Sequence, residues 1–497
     1  MNKTDVLFIH PGNHRKTYQD LSGEYTATAT PAWTLLNAQY IREAGFSTRL
    51  YDVNVEGWDD NTASALLSDY NPELIVMMVY GHNPSASTQT MPAAGRIAGD
   101  IKRANDAVPL AMGGMHPSAL PERTITEEAV DFVIIGEGPH TIKGLVNCLK
   151  GRGGLQDIKG LCYKGGGAGV IVNPIADIIE DLDAQLTGYA WDLLPPLTNY
   201  RAHNMHCFQD FEGSVRDDFS DVRSPYVAMN TSLGCPYNCT FCCINSVFGR
   251  PGIRYWPLDT VFSWIDELVI KHKVRNIRLD DELFILSAER VERFCDMMIE
   301  RGHDVNLWVY GRVDTIEERL LKKMKHAGIN WICLGIESAS EGVRKDVNKK
   351  IRKDIKTVVS MIQANDIYVL GNFMFGLPED NISTMEETLR LATELNCEFA
   401  NFYSVMAYPG SELYNKTAKE HLPETLNGYA QLGYDTKPLP TKYLTSAEVL
   451  RFRDEAFYTY HANPLYLDMA QRRFGGKVRR HIEKMLGCKI KRKLLGD

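Results

Sequence analysis

Short apolar runs separated by helix-length amphipathic segments set the pattern of the first 150 residues. Asp5 to His10, Ser47 to Asp52, Glu73 to Val79, Pro109 to Gly114 and Asp131 to Gly136 are rich in β-branched and apolar residues and read as buried strands. Between them, Trp33 to Ala44 (stopped by Gly45), Ala63 to Asp69, Ser87 to Asn105 and Pro139 to Leu149 carry helical spacing. Strands alternating with helices predict a doubly wound parallel sheet, with any ligand at the carboxyl ends of its strands. No GxGxxG follows the first strand, so a nicotinamide-type dinucleotide site is not supported.

From 151 to 223 the sequence turns Gly- and Pro-rich and reads as a connector, with a hairpin from Leu161 to Asn173 around Gly165, Gly166 and Gly167. From 224 to about 415 the βα rhythm resumes. Tyr226 to Ser232, Asn276 to Asp280, Asn306 to Tyr310, Trp331 to Gly335, Val369 to Phe375 and Phe399 to Val405 are six candidate strands, which suggest a partial (β/α)6 barrel of TIM type. Helices between them show core stripes, such as Val261, Trp264, Ile265, Leu268 and Val269, and Val291, Phe294, Cys295, Met298 and Ile299. Ser383 with Glu386 and Asp314 with Glu317 have N-cap spacing. Residues 416–497 read as a helical, basic C-terminal region.

At roughly 150 residues per domain, 497 residues are about three domains' worth of chain, so the chain is expected to fold in pieces. With 44% hydrophobic and 24% charged residues, wholesale disorder, collagen-like sequence and coiled coil are excluded. A net charge of −8 gives no reason to expect nucleic acid as a partner. The longest apolar run, Leu74 to Tyr80, falls far short of the ~18 residues of a membrane span, and no signal peptide is read, so the expected compartment is the cytoplasm. Eleven cysteines in such a chain do not form a disulfide framework; their clustering points to metal or redox chemistry.

The six strand ends carry, in order, GCPYNCTFC, DDE, GR, GIES, FGLP and AYPG. Cys235, Cys239 and Cys242 stand in CxxxCxxC spacing directly after a strand. Three thiolates hold three corners of a cubane iron-sulfur cluster and leave one iron open to another ligand. The alternatives are three reduced core cysteines or a zinc site with a distant fourth ligand, although no second CxxC knuckle is present. Cys243 would displace a ligand from the open iron and is read as a small buried hydrophobe.

These residues resemble the radical S-adenosylmethionine (SAM) enzymes, and the resemblance implies a [4Fe-4S] cluster on Cys235, Cys239 and Cys242 with SAM on the open iron. It further implies that Phe241 packs near adenine, that Asp281, first among Asp280, Asp281 and Glu282, accepts from the methionine ammonium, and that Arg312 forks onto the methionine carboxylate. Glu337 and Ser338 of GIES match a recurrent SAM-contacting position. The first 150 residues, through PAWTLLNAQYIREAGF, YDVN, NPELIVMMV, GGMHPS and DFVIIGEG, resemble the Rossmann-like cobalamin-binding domain fused to a subgroup of these enzymes. On that resemblance Gly113, Gly114, Gly136, Glu137 and Gly138 form turns that approach the corrinoid. The DxHxxG motif that ligates cobalt elsewhere is absent, and His82 lies where the subgroup places a residue near the lower face of cobalt; His116 is a second such histidine.

The resemblance implies a cobalamin-dependent radical SAM C-methyltransferase. It would act on an unactivated carbon of a small-molecule or lipid substrate through methylcobalamin and a 5′-deoxyadenosyl radical, with flavodoxin or ferredoxin as electron donor. The runner-up is cyclisation or rearrangement without methyl transfer, and a third reading is a non-catalytic cobalamin and cluster sensor. A methylthiotransferase is disfavoured because the first cysteine is Cys148. Ten Lys and Arg residues from Met469 onward suit weak membrane-surface contact or, more commonly, a solvated face. Phe457, Tyr458, Tyr460, Tyr466 and Phe474 would wall the substrate cavity or pack the core.

Overall fold

Two sheets, the first mixed and the second parallel, share one core in the computed structural model, which describes residues 3–12, 17–81 and 85–497. The first sheet is built from β1 (Thr4–His10), β2 (Thr48–Asp52), β3 (Pro72–Val79), β4 (Leu110–Gly114) and β5 (Phe132–Ile134), in the order β2-β1-β3-β4-β5 with all neighbours parallel. Alternation along β1 sends Val6 and Phe8 into one core and Leu7 and Ile9 into another. Both faces are therefore covered, as a parallel sheet requires.

The predicted hairpin forms, as β6 (Leu161–Lys164) and β7 (Val170–Val172), but it is not a free connector. β6 pairs antiparallel with β5, so the first sheet runs on to Val172, past the expected boundary at 150.

The second sheet consists of β8 (Tyr226–Met229), β11 (Asn276–Leu279), β12 (Asn306–Arg312), β13 (Ile329–Glu337), β14 (Tyr368–Phe375) and β15 (Phe399–Ser404), parallel and in chain order. β8 and β15 are the two edges of an open half-barrel. Open edges invite foreign strands unless covered. Thr30 covers β8, its hydroxyl accepting from Ala228 N and donating to Ala228 O at 2.9 Å, while Arg453 Nε donates to Phe402 O of β15 at 2.7 Å.

Three expectations change. The first barrel strand ends at Met229 rather than Ser232, because Asn230 is clamped by the Tyr189 hydroxyl at 2.9 and 3.0 Å. Ser232–Leu233 (β9) then pairs antiparallel with Arg254–Tyr255 (β10). The helix Ile382–Leu395 is capped by Asn381 rather than Ser383, and Asp314 holds Arg352 N at 2.7 Å instead of capping. Of the core stripes, Ile299 is turned to solvent and Met297 is buried in its place.

The C-terminal helices Ser446–His461, Pro464–Phe474 and Gly476–Leu486 close the lateral opening. Much of their positive charge is used internally. Arg492 is buried and pairs with Asp454 through two bonds of 2.8 Å, Arg473 pairs with the buried Glu398, and Lys484 pairs with Glu24. Tyr460 and Tyr466 are core residues that donate to Cys397 O and Glu398 O. No helix of the described residues is long and apolar enough to cross a membrane.

Candidate functional site between the two sheets

A cavity of about 310 Å³ lies between the carboxyl ends of the two sheets. One wall is formed by His10 at the end of β1, Asn54 after β2, Tyr80 after β3, and Trp33 and Thr34 of the helix Ala32–Glu43; Trp33 stacks on Tyr80 at 5.0 Å. The facing wall carries Cys235, Cys239 and Cys242, with Phe241, Asp281, Arg312 and Glu337. A second cavity of about 430 Å³ continues into the barrel lumen and shares Phe241, Cys242, Tyr310, Glu337 and Asn372 with the first.

The cysteine loop is held from behind, where Cys242 N donates to Cys239 O at 3.0 Å and Thr240 N to Val347 O at 3.1 Å. Burial pushes the Cys235 and Cys242 thiols up from their ordinary value. Bound iron would reverse this, since coordination deprotonates a thiol. Among the described residues no three His, Cys, Asp or Glu side chains close on one point as ligands of a single ion do. The triad faces a shared space instead, which suits a cluster whose irons are separate corners.

Arg312, 7% exposed, stands beside this loop. Its guanidinium lies 3.9 Å over the Tyr237 ring, donates to Lys350 O at 2.9 Å and comes within 3.9 Å of Cys239 Sγ. A fixed cation there favours the thiolates and any anionic group bound on them. Its Nε has no hydrogen-bond partner among the described residues.

The three acidic residues after β11 are not equivalent. Asp280 is paired with Arg278, Asp281 takes three bonds of 2.6–2.7 Å from Thr231 N, Thr231 Oγ1 and Ser232 Oγ, and Glu282 accepts from Gly234 N at 3.1 Å. Asp281, first by sequence, thus fastens the end of β8, while Glu282 has the lighter load. Burial raises all three, Glu282 to about 8.

Glu337 sits at φ 65°, a conformation that a non-glycine residue adopts only under constraint, at a bulge between β13 and β14. Its Oε1 meets Lys349 Nζ at 2.9 Å in a buried ion pair. A Cβ on Gly335 would fall 2.6 Å from Glu337 Oε1 and 2.7 Å from Lys349 Nζ, so a side chain there would push the pair aside. Ser338 is not in the lining of either cavity; its hydroxyl meets Thr388 Oγ1 at 3.2 Å.

The residues expected to approach a corrinoid are placed differently. Gly113, Gly114, Gly136, Glu137 and Gly138 line neither cavity. Gly114 has φ 140°, and a Cβ there would lie 2.2 Å from Val79 O, which is reason enough for glycine. Glu137 is buried, pairs with Arg254 at 2.5 and 3.1 Å and accepts from Ile179 N at 2.7 Å, so it ties the first sheet to β10. His116 is buried against Thr88 Oγ1 at 3.1 Å, and His82 lies outside the described residues.

What the sequence reasoning missed is the first wall. His10 Nδ1, Thr34 Oγ1, Asn54 Oδ1 and Tyr80 Oη are buried with no hydrogen-bond partner among the described residues. Burial holds the His10 imidazole down to about 4. Their signal was positional, since they follow the carboxyl ends of the first strands or open the first helix. Lys349 had no local signal at all.

Residues 229–392 match the Radical SAM superfamily model, and residues 19–146 match the B12 binding domain model. This is a radical SAM enzyme with a B12 binding domain. A [4Fe-4S] cluster, SAM and cobalamin are accordingly its cofactors. The residues matched as radical SAM contribute the three-cysteine wall of the cavity, and those matched as B12 binding contribute Thr34, Asn54 and Tyr80 of the unpartnered wall, so the donor sets fit both groups.

Among curated relatives, the chain is 27% identical over 445 residues to an uncharacterized methyltransferase of Pyrococcus horikoshii, covering 88% of this chain and 89% of that one. It is 24% identical over 419 residues to an anaerobic magnesium-protoporphyrin IX monomethyl ester cyclase of Rubrivivax gelatinosus, covering 83% and 69%. The fold is shared with the radical SAM methyltransferase TsrM of Kitasatospora setae, at a TM-score of 0.66 and 14% identity over 99% of this chain and 96% of that chain. It is also shared with the cobalamin-dependent radical enzyme OxsB, at 0.63 and 17% over 89% and 58%.

Proposed function

We propose that this protein is a C-methyltransferase acting on an unactivated carbon of a small-molecule or lipid substrate. The observation that carries the proposal is the single cavity bounded by the B12 domain's strand ends on one side and the three cysteines on the other. When bound, the cluster would supply the electron that cleaves SAM to a radical, and cobalamin would supply a methyl carrier. Cys235, Cys239 and Cys242 hold the cluster, and Arg312 balances its charge. Glu282 is the carboxyl best placed to receive the SAM ammonium, and the Glu337–Lys349 pair fixes the far side of the same space. Trp33 and Tyr80 keep water from the wall opposite. The electron itself comes from a carrier such as flavodoxin or ferredoxin.

The likeness to the cyclase favours one rival, a rearrangement without methyl transfer. The test uses protein made with cobalamin available, purified without oxygen, and incubated with reductant, deuterated-methyl SAM and a small-molecule extract of the producing cells. Near-stoichiometric corrinoid, 5′-deoxyadenosine and a product carrying the label support the proposal. An unlabelled product with 5′-deoxyadenosine favours rearrangement, and absence of 5′-deoxyadenosine favours a sensor. Folded protein without corrinoid would remove the main support for methylation.

A further inference from the structure

The loop that carries Cys235 and Cys239 comes to the surface, where Pro236 and Asn238 are exposed. Packed against it is the connection between the helices Glu341–Asp346 and Ile355–Ala364. Thr240 N donates to Val347 O at 3.1 Å, and Arg312 Nη2 donates to Lys350 O at 2.9 Å. Asp314 Oδ1 fixes the rest of the connection, accepting from Arg352 N at 2.7 Å and from Lys353 N at 3.2 Å. The same Arg312 guanidinium lies over the Tyr237 ring and beside Cys239 Sγ, so a single side chain joins this connection to the cysteine loop.

The charge on this connection is out of keeping with the chain. Residues 344–356 carry seven Lys and Arg against two Asp, in a protein whose net charge is −8. Arg344 and Lys349 are buried, and Lys345 and Lys356 are paired with Glu341 and Glu394. Lys350, Arg352 and Lys353 are exposed and have no carboxylate partner among the described residues; Lys353 Nζ donates to Ile316 O at 2.6 Å, which leaves its charge unmatched. Of the two acidic residues, Asp354 is engaged as the cap of the following helix, through Thr357 N at 2.8 Å. Two other segments packed on the cysteine loop present paired charges instead. Gly252 N donates to Cys235 O, and nearby Arg250 meets Glu180; Leu413 N donates to Thr240 O, and nearby Lys416 meets Glu412. The unmatched positive field therefore lies on one flank of the cysteine loop.

We propose that Lys350, Arg352 and Lys353, beside the exposed Pro236 and Asn238, form the docking surface for an acidic one-electron carrier protein. The inference rests on the reading that a carrier protein supplies the electron, and adds where that carrier sits and which charge it bears. In the encounter the carrier is oxidised by one electron and the cluster is reduced, with no bond made or broken. Transfer between proteins weakens steeply with distance, so the carrier gains most by seating where the cysteine loop itself reaches the surface. Exposed cations that face no carboxylate steer an acidic partner to that point and repel a basic one, and salt screens the attraction.

The test uses the full-length, cofactor-loaded protein and two acidic probes, a bacterial flavodoxin and a bacterial ferredoxin, titrated calorimetrically without oxygen at about 50 and about 300 mM salt. At least one carrier is expected to bind, and to bind more weakly at the higher salt. Lys350→Glu with Arg352→Glu should weaken that binding at least tenfold. A control of equal charge change, Arg480→Glu with Lys489→Glu on the exposed C-terminal surface, should stay within about twofold of the parent. With dithionite, a reductant small enough to need no docking surface, both variants should form 5′-deoxyadenosine at the parent rate. Binding of neither carrier, equal weakening by both variants, no weakening by the first, or loss of dithionite-driven 5′-deoxyadenosine in the first would each overturn the inference. The two readings fail separately: a carrier that docks here without label transfer removes methylation alone, and label transfer without docking here removes the surface alone.

Discussion

Replacing Glu137 by Gln separates two roles for this residue, contact with the corrinoid or a tie between the first sheet and the β9–β10 ribbon. The structure gives Glu137 both Arg254 nitrogens, at 2.5 and 3.1 Å, with the Glu137 and Arg254 side chains only 4% and 11% exposed. Glu137→Gln keeps an acceptor for Ile179 N but leaves the guanidinium facing a neutral group. Removing one partner of a buried pair costs about 3–5 kcal/mol. Arg254 retains its bond to Ile179 O and its place 5.2 Å from the Phe248 ring, which argues for the lower end, about 3 kcal/mol. Urea unfolding followed by tryptophan fluorescence measures the loss, and cobalamin titration of the folded variant should give an affinity within about twofold of the parent. A double variant, Glu137→Leu with Arg254→Met, should recover at least half of the lost stability, because both charges leave together. An unchanged unfolding midpoint together with a tenfold weaker corrinoid affinity would refute the structural role and restore the cofactor contact.

Cys239→Ala should lose iron and 5′-deoxyadenosine formation while still binding corrinoid, since the three cysteines and the strand ends of the first sheet form opposite walls of the cavity; normal SAM cleavage by this variant would sink the cluster assignment. Glu282→Gln should weaken SAM binding more than Asp281→Asn does, whereas Asp281→Asn should be the more destabilising because three bonds at the end of β8 depend on it. Gly114→Ala should destabilise by more than the ~1–3 kcal/mol of backbone strain alone, as its Cβ meets Val79 O, and Gly136→Ala, whose nearest neighbour would be 3.6 Å away, should cost less in the same melt. Burial raises the Asp52 carboxyl to about 7, although Tyr200 and Asn54 bond to it. The folded state therefore keeps a proton that the unfolded chain has released, so this contribution is full below about pH 4 and is lost as pH rises through 7. Asp52→Asn should flatten the stability profile over that window by up to about 1.4 kcal/mol per pH unit, read from unfolding midpoints of the two proteins at matched pH.

Local pattern was enough for the architecture because it is written in short-range chemistry. Buried parallel strands need continuous apolar runs, and crossover helices need a 3.6-residue stripe; both survive in the linear sequence. The cysteine triad was legible for the same reason, since three cysteines within eight residues are close however the rest folds, and all three line one cavity. For the glycines at the end of β4 and after β5, sequence could not say whether a cofactor or a neighbouring carbonyl demanded them. At Gly114 the demand comes from Val79 O, 35 residues away in the chain.

The rest required partners distant in sequence. Which of Asp280, Asp281 and Glu282 is spent on structure depends on Arg278, on Thr231 and Ser232, and on Gly234 respectively, and only the packing of β8 against β11 brings the last three near. Lys349 became a site residue because a bulge holds Glu337 toward it, and Glu137 became a tie because Arg254 of β10 reaches back across 117 positions. The unpartnered wall of His10, Thr34, Asn54 and Tyr80 is invisible one residue at a time, since what marks it is the absence of a neighbour once the chain is folded. The sequence by itself determined which elements form and which three cysteines stand together; the tertiary structure alone decided which polar groups were left over for ligands, because hydrogen-bond satisfaction is a property of the packed molecule.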